Sequence, residues 1–101
     1  MKKKRLIDYQ ERLLKKLSDE EFAAEYLNQA LVDEDPRMFL LALKNVVEAQ
    51  GEDITALSKE TNITRTSIYR ILSVKGNPKF TNLISLLDSV GFEVEIKPKH
   101  K

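Results

Sequence analysis

The residues best suited to binding chemistry lie together from Thr64 to Arg70, in the sequence TRTSIYR. This stretch holds two guanidiniums, three Thr and Ser hydroxyls and one tyrosine. The major groove of DNA accepts a helix that carries short hydrogen-bonding side chains and arginine at its N-terminal end, where base edges and phosphates come within reach. The pattern therefore favours recognition of double-stranded DNA. A helical hairpin with an ordinary solvated polar face is the alternative interpretation.

The predicted site divides into contacts to bases and contacts to the DNA backbone. Groove contacts are expected from Arg65, Thr66, Ser67 and Arg70. Phosphate contacts are expected from Thr64, Tyr69, Lys75, Asn77 and Lys79. The last three belong to the sequence SVKGNPK, a loop rich in turn residues that follows the proposed recognition helix directly. The alternative is that this loop only connects two helices, because its two lysines are weak evidence for phosphate contacts.

Two short helices within residues 54–72 must position these side chains. Apolar residues at helical spacing give the two helices a shared core, and they are Leu57, Ile63, Ile68, Ile71 and Leu72. Ser58 is small enough to let the two backbones cross closely. The turn falls at Thr61-Asn62, where asparagine tolerates the positive φ that glycine commonly provides. Thr64 is the expected N-cap, so the second helix should begin at about residue 65.

Apolar residues at helical spacing predict three more helices, which makes the fold class all-α. They cover about residues 18–32, 36–50 and 80–90. Ser18 and Glu21 form the expected capping box of the first. The second is apolar on most sides and is the predicted centre of the bundle. Residues 1–17 are expected to be a basic arm with a short helix, and a disordered arm before Asp8 is an equally open alternative. The basic tetrad from Lys2 to Arg5 either contacts phosphates or keeps the terminus soluble. Residues 18–101 then form a single helical domain.

A different periodicity appears near the C-terminus. Residues 92–97, FEVEIK, alternate apolar and charged side chains with period two, which predicts a β-strand. A single strand leaves its backbone groups unpaired and must find a partner or be covered. The same strand from a second copy would supply that partner across a twofold axis. A frayed tail that packs on the bundle is the competing interpretation.

Composition excludes several classes of protein. The 101 residues, 42% hydrophobic and 33% charged, suffice for one modest core. Cysteine is absent, the only histidine is His100, and no apolar run reaches the eighteen or so residues that a bilayer requires. The sequence has no nucleophile elbow, no Gly-rich phosphate-binding loop and no pair of histidines spaced as metal ligands. We therefore expect no enzymatic activity, no metal and no cofactor, in a cytoplasmic protein without a membrane partner.

The net charge of +1 conceals an uneven distribution. Residues 18–35 hold seven carboxylates and neither Lys nor Arg, whereas residues 54–80 hold five Lys and Arg against Glu60 alone. Such asymmetry suggests two surfaces, one for a phosphate-bearing partner and one for a cationic partner. The alternative is that the two stretches neutralise each other within the fold.

The run LSKETNITRTSIYRIL, followed by Gly76-Asn77-Pro78 and a helix that ends at Val90-Gly91, resembles the lambda-repressor-like (Cro/C1, XRE-type) helix-turn-helix family. The ordered motifs EYLNQAL, FLLALKNVVEAQG, TSIYRILS, GNPKF and LLDSVGFEVEI are similar to those of addiction-module antidote proteins, the HigA-like antitoxins. The similarity covers roughly residues 23–96. Asn62 departs from the wider family, which usually has glycine there, but asparagine fits the same backbone conformation.

The resemblance implies a lambda-repressor-like five-helix bundle with an N-terminal helical extension, working as a homodimer on a palindromic operator. It implies the antitoxin of a type II toxin–antitoxin module, an autorepressor that also binds and neutralises a small basic toxin of the mRNA-interferase type. The acidic helix within residues 18–35 suits such a partner electrostatically. The alternatives are a stand-alone, phage-repressor-like transcription regulator without a toxin, and a helical adaptor that binds only proteins.

Overall fold

Six α-helices form the secondary structure of residues 2–100, the part of the chain that the computed structural model describes. In chain order they are α1 (Lys2–Leu17), α2 (Glu20–Leu31), α3 (Arg37–Ala49), α4 (Ile54–Thr61), α5 (Arg65–Leu72) and α6 (Phe80–Ser89). The predicted all-α class is therefore confirmed. Side chains are described from residue 5 onward, so most of the predicted basic tetrad, Lys2 to Lys4, lies outside them. None of the helices in the described range is long and apolar enough to cross a bilayer.

Helix α3 lies at the centre of the bundle, as its apolar pattern predicts. Its buried side chains are Phe39, Leu40, Ala42, Leu43, Asn45, Val46 and Val47. It packs against α1, α2 and α5, while α4 packs against α5 and α6. Full burial of a large aliphatic side chain such as Leu43 stabilises the fold by about 1.5–3 kcal/mol. The helix that carries the predicted site, α5, is thus held from behind by α3 and α4.

Helix α1 is attached to this centre by a polar network. The Gln10 amide donates to Asn45 Oδ1 at 3.1 Å, and Asn45 Nδ2 donates to the Tyr26 hydroxyl at 2.9 Å. Asn45 is buried, so its amide would be costly without these partners. One buried asparagine on α3 therefore sets the positions of α1 and α2 together, and Leu17 closes the apolar contact at the end of α1.

The N-terminus of α2 differs from the predicted capping box by one residue. Asp19, with φ −84° and ψ 119°, is the N-cap, and its side chain accepts from the Glu21 N–H at 3.0 Å. The Ser18 hydroxyl instead donates to the Lys15 carbonyl at 2.6 Å. Both Ser18 and Asp19 suit an N-cap chemically. The end of α1 decides between them, because it engages the Ser18 hydroxyl.

The predicted C-terminal β-strand is wrong. Residues 92–97 belong to neither helix nor strand, and no other part of residues 2–100 forms a strand beside them. The Phe92 N–H donates to the Leu87 carbonyl at 2.8 Å and its ring packs on the core, but Val94 is 50% and Ile96 93% exposed. Alternation supplies only the side-chain pattern of a strand, whereas its backbone hydrogen bonds need a neighbouring strand. The competing interpretation, a tail packed on the bundle, holds for Phe92.

Candidate nucleic-acid interface

The turn between α4 and α5 is fixed by three residues at its ends. Asn62 has φ 60° and ψ 25°, in the left-handed region, which confirms the reason for an asparagine at this position. The Ser58 hydroxyl donates to the Ile63 carbonyl at 2.6 Å, so Ser58 ties the turn by a hydrogen bond as well as being small. Thr61 Oγ1 donates to the Leu57 carbonyl and accepts from the Ile63 N–H. The direction in which α5 leaves the turn is therefore well determined.

Two of the predicted site residues are used in the N-cap of α5. Thr64 has an extended backbone, and its hydroxyl oxygen accepts from the Ser67 N–H at 3.2 Å. The same hydroxyl donates to the Ser67 side-chain oxygen at 2.9 Å. Ser67 is half-buried, whereas Thr64 is exposed. These two hydroxyls therefore define where α5 begins, and they are less available to a ligand than the neighbouring exposed residues.

The outward side of α5 presents the other predicted residues. Arg65, Thr66, Tyr69 and Arg70 are all exposed, while Ile68 and Ile71 on the opposite side are buried. An open depression of about 640 Å³ runs along this side, and its walls are Thr66, Tyr69, Arg70, Ser73, Lys75 and Gly76. We call Arg65 together with these six residues the α5 face. It combines two guanidiniums, an ammonium, two aliphatic hydroxyls and a phenol.

The loop after α5 brings only one of its predicted residues into the depression. Lys75 is in its wall; Asn77 and Lys79 are outside the wall, and Lys79 is exposed. Ser73 caps α5 by donating from its hydroxyl to the Arg70 carbonyl at 2.7 Å. Val74 is half-buried with φ 64°, an unfavourable conformation for a β-branched residue. Its packing on the core holds the loop close to the end of α5.

Sequence reasoning missed Ser73 and Gly76 as parts of this face. Ser73 lies seven residues after Thr66, which is two helical turns along the same side. The helical periodicity that identified Thr66 and Arg70 could therefore have included Ser73. Gly76 has no comparable signal, because its place follows from the backbone path of the loop, where its φ is 76°.

The α5 face is cationic. Within residues 54–80 the one carboxylate belongs to Glu60, and its Oε2 accepts from the Ser89 hydroxyl on α6 at 2.7 Å. That bond engages the Glu60 carboxylate with α6. Outside residues 54–80, Glu48 and Glu52 line a second depression, which shares Tyr69 and Ser73 with the α5 face. Among the described residues, no group of three or more His, Cys, Asp or Glu is arranged to hold a metal ion. The face therefore offers hydrogen-bond donors and positive charge, the chemistry that suits an anionic partner.

These features define a helical protein in which a tight turn joins α4 to α5, and α5 presents an exposed, donor-rich outer face with two guanidiniums. The chain belongs to a family described as "Probable addiction module antidote protein", which matches residues 9–98. An uncharacterised protein of Haemophilus influenzae (strain KW20 / Rd) is 25% identical over 81 residues, which is 80% of this chain and 81% of that protein. No solved structure matches the chain significantly. Membership of the family indicates an antitoxin role in an addiction module and implies a cognate toxin.

Proposed function

We propose that this protein is the antitoxin of a type II toxin–antitoxin module, with two activities. It binds the operator of its own module through the α5 face and represses transcription. It also neutralises a small mRNA-interferase-type toxin by direct binding. The antidote family supports the toxin-binding activity. The DNA-binding activity rests on one observation, the exposure of Arg65, Thr66, Tyr69 and Arg70 on a helix whose other side is buried.

The base contacts come from the outward side of α5 in this proposal, from Arg65 and Thr66 in its first turn and from Arg70 in its last turn. Arg65 and Arg70 each reach a guanine edge, since arginine pairs with guanine O6 and N7 through two hydrogen bonds. Thr66 lies between them on the exposed side and contacts a base edge or a thymine methyl. Ser67, which is half-buried and bonded to Thr64, orients the start of the helix and contacts DNA only at its edge.

The backbone contacts surround this centre. Tyr69 and Lys75 stand in the wall of the depression next to Arg70, where a phosphate oxygen would meet a phenol and an ammonium. Asn77 and Lys79 extend the same contact along the loop. Thr64 does so at the start of α5 by exchanging its hydroxyl bond to Ser67 for one to a phosphate oxygen. Such contacts fix the register of the helix in the groove without reading sequence. Together they make the interaction strongly dependent on salt.

The functional unit in this proposal is a homodimer. One eight-residue helix reads only a few base pairs, which is too little to specify an operator. Two copies related by a twofold axis would place their recognition helices about 34 Å apart, one turn of DNA, and would read a palindrome. Sedimentation velocity on the protein alone and on its complex with operator DNA measures this stoichiometry. A single protomer bound per operator would contradict it.

The test of DNA binding compares one arginine of the α5 face with one remote from it. The DNA is the region upstream of the gene that encodes the protein, with a scrambled duplex as reference. Arg70→Ala should weaken binding to the upstream DNA by ~1–3 kcal/mol, or roughly 5–150-fold, if this side chain reads a base. Arg37→Ala is the matched control, because Arg37 is exposed at the start of α3 and bonded to Asp35. Equal affinity of the wild type, Arg65→Ala and Arg70→Ala would refute the assignment.

The toxin-binding activity is tested independently of DNA. The purified protein and the product of the neighbouring small gene are mixed and analysed by size-exclusion chromatography. Co-elution, together with loss of mRNA cleavage by the neighbouring gene product, is the expected result. A stand-alone regulator would bind the upstream DNA equally well but would have no toxin gene beside it, so this experiment separates the two functions.

A further inference from the structure

The end of α2 exposes two large apolar side chains next to each other. Leu31 is 60% exposed, although it lies one turn after the buried Leu27, and Val32 is 79% exposed. Val32 is the C-cap, and its N–H donates to the Gln29 carbonyl at 3.3 Å, so its position is held by the helix. The next residues are ordered too, since Asp33 Oδ1 accepts from the Asp35 N–H at 2.9 Å. These hydrogen bonds hold the backbone of residues 31–35, so Leu31 and Val32 are presented to solvent in a fixed position.

Carboxylates flank this apolar pair along the chain. Glu21, Glu25 and Asn28 precede Val32 at helical spacing along one exposed side of α2, and Asp33 and Glu34 follow it. We call Glu25, Leu31, Val32, Asp33 and Glu34 the α2 corner. Residues 18–36 contain neither Lys nor Arg. The first cation beyond them along the chain, Arg37, is bonded to Asp35 at 2.8 Å, which lowers the pKa of that carboxyl.

The charge of the α2 corner selects among possible occupants. A second copy docked there about a twofold axis would bring the same carboxylates against one another, which is repulsive. Nucleic acid and the anionic surface of a membrane are excluded by the same repulsion. A protein with a cationic surface around an apolar contact is complementary to both parts of the corner. An enzyme that grips RNA carries such a cationic surface.

The corner is also separate from the α5 face. Helix α2 has its main contacts with α1 and α3, whereas α5 packs on α3 and α4. Helix α3 therefore stands between the two surfaces. A substitution at the corner can be tested for its effect on a protein partner while DNA binding serves as an internal control of folding.

We infer that the α2 corner is the docking surface for the cationic toxin, with Leu31 and Val32 as its apolar centre. This inference rests on the proposed antitoxin function. The apolar pair supplies the desolvated contact, and the carboxylates around it orient the partner and accelerate its association.

The experiment measures the affinity of the full-length protein for the neighbouring gene product by isothermal titration calorimetry. Leu31→Ser/Val32→Ser should weaken binding about thirtyfold or more, the effect of losing a central apolar contact. Asp33→Lys/Glu34→Lys should weaken it at least about tenfold and reduce its salt dependence. The matched controls are in the exposed tail, Val94→Ser/Ile96→Ser and Glu93→Lys/Glu95→Lys, and should change affinity by less than about threefold.

Each outcome decides the inference. All four variants change exposed residues, and Asp33→Lys also removes the acceptor of the Asp35 N–H. Thermal unfolding and affinity for the upstream DNA at 0.15 M salt or above are therefore measured for every variant, and only variants that match the wild type in both are compared. Loss of toxin binding in both corner variants, with the tail variants unaffected, supports the inference. Wild-type affinity in either corner variant, or a comparable loss in the tail variants, overturns it while the antitoxin function stands. Failure of the wild-type protein to bind overturns the toxin-binding function and the inference with it.

Discussion

Salt provides a quantitative test of how the α5 face meets DNA. Each phosphate neutralised by a Lys or Arg releases condensed counterions, so the logarithm of affinity falls linearly with the logarithm of salt, with a slope of about −0.9 per phosphate. Lys75 and Lys79 are exposed on the loop that follows α5. If each neutralises one phosphate in both copies of a dimer, the slope is about −3.6. Affinity should then fall about 150-fold between 50 and 200 mM salt.

Fluorescence anisotropy with labelled operator DNA across this salt range measures the slope. Lys75→Ala removes one phosphate contact per protomer and should bring the slope to about −1.8 in a dimer. Arg70→Ala should lower affinity at every salt concentration and leave the slope less affected, if Arg70 contacts a base. A slope near zero would refute the placement of DNA on this face and favour a protein-binding adaptor. An unchanged slope in Lys75→Ala would show that Lys75 does not contact a phosphate.

Three further predictions concern the scaffold. Asn62→Gly should be tolerated, whereas Asn62→Val should lower the free energy of unfolding by ~1–2 kcal/mol in urea titrations, because a β-branched residue resists φ 60°; equal stability would contradict this. Asn45→Ala should cost ~1–3 kcal/mol and Tyr26→Phe less, since the first breaks both bonds of the network; a thermal melt like the wild type's would refute it. The hydrogen bond and charge of Arg37 lower the pKa of Asp35, so the stabilisation is present above the unfolded-state pKa and is lost as pH falls through the folded-state value. NMR titration of Arg37→Gln should show that pKa rising toward its ordinary value, and an unchanged midpoint would exclude the pair as the cause.

Features set by a few neighbouring residues were predictable from the sequence. The left-handed turn at Asn62, the cap at Thr64 and the buried centre formed by α3 each follow from local chemistry or helical periodicity. The same reasoning placed Arg65 and Arg70 on an exposed side, where the structure has them. Local sequence is sufficient in these cases because each feature depends on the type or spacing of residues that are close together in the chain.

Features that depend on a distant partner were not predictable in this way. The alternation of residues 92–97 is compatible with a strand, but whether a strand forms depends on another segment to pair with. Ser67 is the type of residue expected to contact a groove, yet its hydroxyl oxygen accepts from the Thr64 hydroxyl. The N-cap of α5 brings these two side-chain oxygens to 2.9 Å from each other. The Asn45 network joins three helices, so no single helical pattern contains it.

The separation of charge about α3 connects the two proposed activities physically. A net charge of +1 gives little long-range attraction to either DNA or a cationic protein. At ionic strengths near 0.15 M, charges more than about 8 Å apart are largely screened, so each partner responds to the local surface that it approaches. The α5 face then attracts phosphate, and the α2 corner attracts cations and repels DNA. Charge reversal at Asp33 and Glu34 should therefore weaken toxin binding and add non-specific DNA binding at the corner, which a scrambled duplex would detect at low salt.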